Sequence, residues 1–247
     1  MLSKRIIKYI QSLSYKKLRN EWQAFIAEGP KVVEEILSAK KFECEIICAH
    51  ADWLLINKNL LSGIASENIY ETDDASLEKI SLLKTPHKVV AVFKIKTPGA
   101  PALEGKLSLM LDEIQDPGNL GTMIRIADWF GVDTIICSDT CVDCFSPKVI
   151  QATMGSIARV NVYYTSLHDF IGSHQQISVY AATLDGEPIK NLKAAGEGII
   201  LIGNESAGIS ADILSLVSKK ITIPKYGQAE SLNAAVAAGI ILSQMRS

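Results

Sequence analysis

Three short polar segments hold the residues that could do chemistry. LIGNESAGIS (201–210) leaves an apolar run, turns through Gly203 and Gly208, and enters a helical pattern. It comes close to a G-x-x-x-x-G-K-[ST] phosphate loop, but Ile209 stands where the lysine should be, so a nucleotide-hydrolase reading fails. What is left is a loop that exposes backbone groups beside Asn204 and Glu205; a tight β–α turn with Ser210 as helix cap accounts for the same residues. In DEIQDPGNLGTMIRIADWFG (112–131), Asp116-Pro117-Gly118-Asn119 reads as a turn, with Asn119 as a candidate cap of the next helix. Arg125 follows on that helix, where it could hold a phosphate bidentately or simply pair with Asp128 or Asp116. Asp112 and Glu113 resemble an acid–base carboxylate pair, but neighbours on a strand face opposite ways, and the pair is discarded. In IPKYGQAESLNAAVAAGIILSQM (223–245), Ser231 is the expected N-cap of a long Ala-rich helix. Asn233 then falls in the first turn, where an amide is poorly tolerated unless it has a specific use.

The cysteines offer less. Cys141-Val-Asp-Cys144 has C-x-x-C spacing, but a structural zinc needs four ligands and no second pair lies at a suitable distance. The five cysteines read as small buried hydrophobes in a protein of the reducing cytosol, and no metal is expected.

The elements that must position these groups alternate along the chain. Upstream, Ile6, Ile7, Ile10 and Leu13 predict a short helix; AFIAEG, CEIICA and KVVAVF read as β-like runs, and PKVVEEILSA and stretches near 51–57 and 74–83 as helices. Pro30 suits a first helical position. Downstream, 107–113, 134–137, 177–183, 198–203 and 220–224 read as buried parallel strands, with helices at 119–130, 147–154, 166–172, 210–217 and 231–245. This is a doubly wound α/β domain, which places ligands at the carboxyl ends of its strands. The Pro/Gly-rich stretch 96–105 is a linker, giving domains at 1–95 and 106–247.

The 247 residues carry a formal charge of −2, which by itself argues against nucleic acid. The two halves differ, however. Residues 1–98 hold 15 basic and 12 acidic side chains, and the remainder 10 and 15. The first twenty residues contain six basic side chains and no acid. Lys8 interrupts the apolar N-terminal residues, so no secretory signal is expected, and no membrane span either.

Taken in order, D-P-x-N-L-x-x-x-x-R (116–125), G-N-E-x-x-G (203–208) and I-P-x-x-G-x-x-x-S-L-N (223–233) resemble the motif set of the SpoU (TrmH-like) family of RNA ribose methyltransferases, of the SPOUT class. FSPKVIQATMGSIARV (145–160) also resembles that family, and residues 1–95 look like its small α/β substrate-binding domain. The resemblance implies a mostly parallel C-terminal sheet with a trefoil knot, which general topology rules would not suggest. It also implies methyl transfer from S-adenosylmethionine to a ribose 2′-hydroxyl of structured RNA, rRNA before tRNA. A non-catalytic RNA-binding or assembly factor of the same fold is the competing reading. By match to the motifs, Arg125 would polarise the hydroxyl or steer its phosphate, and Asn119, Glu205, Ser231 and Asn233 would orient it, the ribose and the cofactor. A guanidinium stays protonated, so electrostatic activation is preferred to the family's proposed arginine base. Gly203, Asn204, Ile223 and Leu232, with Thr183 and Leu184, would form the cofactor pocket, largely through backbone groups. Lys16, Lys17 and Arg19 are expected phosphate contacts, with Arg159 nearer the reaction centre. A cytoplasmic homodimer is expected.

Overall fold

The computed structural model describes residues 2–192 and 196–246. The chain forms two compact units: one of Met1–Thr97 with Asp143–Arg159, the other of Pro98–Val142 with Val160–Ser247.

The first unit begins with α1 (Lys4–Ser12) and α2 (Lys16–Trp22), then β1 (Ala24–Glu28), α3 (Pro30–Ala39), β2 (Cys44–Ala49), α4 (Ala51–Ile56), β3 (Ile69–Glu71), α5 (Asp74–Ile80) and β4 (Val89–Lys94). The sheet order is β1-β4-β2-β3, with β4 antiparallel to both β1 and β2 and β3 parallel to β2. The apolar run VVAVF is central because β4 is buried along almost its whole length. Ile10, Leu13, Ile26, Leu77, Ile80 and Val92 form one core cluster. Phe25 of β1 and Phe93 of β4, directly opposite each other in the register, stack at 5.6 Å, and Phe145 lies 5.0 Å from Phe25. This aromatic packing draws segment 143–159, which contains α7 (Pro147–Thr153), into the first unit, whereas the linear reading of the chain groups it with the second domain. The helix α2 escapes the apolar-periodicity reading because KKLRNEW is mostly charged and its cap lacks a side-chain hydrogen bond.

The second unit contains β5 (Leu107–Leu111), α6 (Pro117–Trp129), β6 (Thr134–Cys137), β7 (Asn161–Tyr164), α8 (Leu167–Ser173), β8 (Val179–Pro188), β9 (Gly198–Ile202), α9 (Ala211–Leu214), β10 (Lys219–Thr222) and α10 (Ala234–Met245). Its six strands are all parallel, in the order β10-β8-β9-β5-β6-β7. The central strands β5 and β9 are buried at every residue, as expected of strands covered on both faces. The edge strand β7 is only partly buried, so its NVYY sequence carries no continuous apolar signal. Pairing of β10 with β8 jumps from Lys220–Ala181 to Ile221–Glu187. Residues 182–186 therefore bulge out of register, and Leu184 is 78% exposed there.

Candidate functional site

The three polar segments converge at the carboxyl ends of the parallel strands. The first turn of α6 is fixed by Asp116, whose Oδ1 accepts the Asn119 backbone N–H at 2.8 Å. Asp116, not Asn119, is thus the cap, and the Asn119 side chain is left for other partners. Its Nδ2 donates to Glu205 Oε1 in a very short contact, and its Oδ1 accepts Nδ2 of Asn233 at 2.8 Å. Residues separated by 86 and 114 positions in sequence thereby form one hydrogen-bonded chain.

Asn233 also corrects the sequence expectation for α10. It is the N-cap: its Oδ1 accepts the N–H groups of Ala235 and Val236 at 3.0 and 3.2 Å. Ser231 lies two residues upstream on an exposed stretch. An asparagine that looks out of place inside a helix is well placed at its cap. One amide therefore starts the helix with its oxygen and reaches Asn119 with its nitrogen.

The 203–208 loop is closed on itself. Asn204 and Gly208 exchange backbone hydrogen bonds, both at 2.9 Å, and Asn204 Oδ1 accepts the N–H groups of Ser206 and Ala207 at 2.9 and 3.0 Å. Asn204 Nδ2 donates to the Glu113 carbonyl at 2.8 Å. Gly203 is obligatory here, because a Cβ would sit 2.4 Å from the Gly208 carbonyl carbon and 2.5 Å from Ile209 N. Asp112, discarded as a catalytic acid, serves the loop instead: its buried Oδ2 accepts both the N–H and the hydroxyl of Ser210, at 2.9 and 2.8 Å. Ser210 precedes α9 but makes no side-chain cap bond, since its hydroxyl is committed to Asp112. The signal for Asp112 was present in its position, the first acid directly after an apolar strand.

Arg125 lies on the exposed face of α6 with no hydrogen-bond or ion-pair partner among the described residues, so neither Asp116 nor Asp128 neutralises it. No hydrogen bond joins Arg125 or Ser231 to the Asn119 chain among the described residues.

The expected cofactor positions fall on three strand ends. Thr183 and Leu184 lie in the β8 bulge, Gly203 and Asn204 follow β9, and Ile223 follows β10. The Thr222 hydroxyl donates to the Leu184 carbonyl at 3.3 Å, tying the β8 bulge to the β10 end. Thr222 was not singled out from sequence, where a single threonine inside an expected strand carries no distinguishing pattern. Among the described residues, backbone groups of 225–232 make no hydrogen bonds within the chain, and Leu184 and Leu232 are exposed. This edge offers unsatisfied N–H and C=O groups beside apolar side chains, which suits a ligand with a flat base and a polar tail.

The proposed RNA contacts divide. Lys16 and Lys17 are exposed on α2. Arg19 is only 3% exposed and does not face solvent: Nε and Nη2 donate to Asp143 Oδ2 at 3.1 and 2.6 Å, and Nη1 donates to the Leu13 and Ser14 carbonyls at 2.8 and 2.9 Å. All three guanidinium nitrogens are engaged inside the unit and the side chain is buried, which removes it from the phosphate contacts. Arg159 is exposed but ion-paired with Glu35 at 2.7 Å. None of the five cysteines forms a disulfide; Cys48, Cys137, Cys141 and Cys144 are buried and Cys44 is half-buried. Hydrogen bonding to the Cys137 thiol holds the Cys141 thiol down near 7, against the effect of burial. Among the described residues no group of three or more His, Cys, Asp or Glu stands together as a metal site.

Comparison with known proteins gives this arrangement its context. The SpoU rRNA Methylase family matches residues 106–243, and the MRM3-like substrate binding domain matches residues 4–91. The 23S rRNA (guanosine(2553)-2'-O)-methyltransferase RlmP of Bacillus subtilis is 32% identical, with 97% of this chain and 95% of that protein covered. The AdoMet-bound rRNA methyltransferase from Sinorhizobium meliloti superposes with a TM-score of 0.86 at 28% identity, covering 99% and 95% of the two chains. A Porphyromonas gingivalis chain assigned to the TrmH family superposes with a TM-score of 0.89 at 35% identity, covering 100% and 98%. Fold, motif order and full-length similarity agree: the chain belongs to the SpoU rRNA methylase family, an α/β SPOUT fold with an added N-terminal domain.

Proposed function

We propose that the protein methylates a ribose 2′-hydroxyl of ribosomal RNA, with S-adenosylmethionine as methyl donor. The observation that carries the site assignment is the Asn233–Asn119–Glu205 chain at the strand ends, beside an α6 that also carries the unpaired Arg125. The donor supplies a methyl group on a positively charged sulfur, so no metal is required to activate it. The remaining obstacle is the weak ribose nucleophile. A guanidinium carries a permanent positive charge, and with no acid paired to Arg125 that charge is available to the developing alkoxide or its neighbouring phosphate. Asn119 and Glu205 orient the substrate, and Asn233 holds Asn119 in place. Ser231 is assigned a substrate or cofactor contact, being exposed and adjacent to the cap.

The cofactor is read as held by Thr183 and Leu184, Gly203 and Asn204, Ile223 and Leu232, mostly through the main chain. The family's trefoil knot is the reading of the β8–β10 region, and it rests on membership of the family. The N-terminal domain is read as the RNA-holding module, with Lys16 and Lys17 on its surface. A homodimer is proposed through α6 and α10, which pack together and leave Trp129, Val236 and Ile240 exposed on their surfaces. The cytoplasm is the proposed compartment, in keeping with five cysteines outside disulfides.

The test is methyl transfer from labelled S-adenosylmethionine to unmodified rRNA and, separately, tRNA. Label is expected in the rRNA and to disappear in Arg125→Ala, with cofactor binding retained. No label in any RNA together with no cofactor binding would overturn the assignment.

A further inference from the structure

The first unit contains a cavity that the methyl-transfer chemistry does not use. It has a volume of about 310 Å³ and lies between the end of β1, residues 82–83 and α7. That volume is at the lower end of the roughly 300–1,000 Å³ of small-molecule sites, suited to one ring system rather than a whole cofactor. Its walls are mostly apolar, built from Ile26, Leu83, Pro147 and Ile150, and Gln151 and the exposed Lys148 are also at its lining. One acid is built into it: Glu28, only 4% exposed.

The Glu28 carboxylate is held rigidly. Its Oε2 accepts the Ser81 hydroxyl at 2.6 Å and its Oε1 accepts the Leu82 N–H at 2.8 Å. A carboxylate offers about four acceptor positions, so each oxygen keeps capacity for one more donor. A partner must therefore present N–H groups, in a flat apolar body, and a nearby negative charge for Lys148. A nucleobase on a phosphate backbone has all three features. Guanine fits best among the bases, because its Watson–Crick edge carries two adjacent N–H donors.

We propose that this cavity receives one unstacked guanine of the RNA substrate, read by Glu28 and backed by Lys148 against the phosphate. This rests on RNA being the substrate, and it adds a base-specific anchor in the substrate-binding unit, separate from the methylated nucleotide. Lys148 belongs to α7, which is in the second half of the sequence but folds with the first unit.

The isotope-labelled full-length protein, titrated with guanosine, inosine and uridine 5′-monophosphates, tests the base directly. The Leu82 amide resonance is expected to shift with guanosine monophosphate, and inosine monophosphate, which lacks the second donor, should bind at least tenfold more weakly. With 6-thioguanosine-substituted rRNA, photocrosslinks should map to peptides containing residues 81–84 or 147–152. Ala152→Phe fills the cavity from α7 and should weaken rRNA affinity about tenfold and remove those crosslinks, with S-adenosylmethionine binding by calorimetry unchanged. Equal binding of the guanosine and inosine nucleotides, or a variant that binds rRNA as tightly as the wild type, would overturn the guanine site while methylation stands. A wild-type protein that neither binds nor methylates rRNA would overturn the parent reading as well.

Discussion

Replacement of Arg19 by alanine separates a buried structural cation from a phosphate contact. Its guanidinium makes two bonds to Asp143 and one each to the Leu13 and Ser14 carbonyls. The substitution strands a carboxylate that is itself largely buried and leaves two carbonyls without this donor. Breaking a buried pair from one side costs about 3–5 kcal/mol, because the remaining charge is left uncompensated. Urea unfolding of Arg19→Ala should therefore lose about that much stability at unchanged m-value. Arg19→Met with Asp143→Leu removes both charges and should regain much of the loss, since an apolar pair of similar volume avoids desolvation. Under conditions where the variant is folded, the slope of log affinity for RNA against log salt should match the wild type. If Arg19 contacted a phosphate instead, the slope would become shallower by about 0.7 on single-stranded RNA and stability would change by less than about 0.5 kcal/mol. That pair of results would refute the buried-pair assignment.

Three further outcomes follow from the site and its surroundings. Gly203→Ala forces a methyl group into the backbone of Gly208 and Ile209; it should cost about 1–3 kcal/mol and weaken cofactor binding measured by calorimetry. Asn119→Asp sets a second carboxylate against Glu205, so methylation should fall at neutral pH and recover partly as the pH drops and one acid takes up a proton, whereas Asn119→Ala should show no such recovery. Burial pushes the Lys41 ammonium down to about 8 from its ordinary 10.5. Between those values the unfolded chain binds more protons than the folded one, so stability should rise with pH across that window, and Lys41→Met should abolish the rise in pH-dependent denaturation.

The sequence by itself determined the apolar skeleton and the identity of the polar motifs. PKVVEEILSA, CEIICA and TIIC coincide with α3, β2 and β6 to the residue, because their apolar spacing and bounding turns state one local preference. The motifs also identified Asn119, Glu205 and Asn233 by type and order. Only the tertiary structure decided what those side chains touch. Asp116 and Asn233 take the helix caps expected of Asn119 and Ser231, since capping depends on where the chain enters the helix, to within one or two residues. Arg19 reads as one more surface cation among Lys16 and Lys17 until Asp143, 124 residues away, comes to meet it. Local pattern records the preferences of neighbours. A hydrogen bond across 86 residues or an ion pair across 124 exists only once packing has fixed the distance between its partners, and that distance is written in no single stretch of the chain.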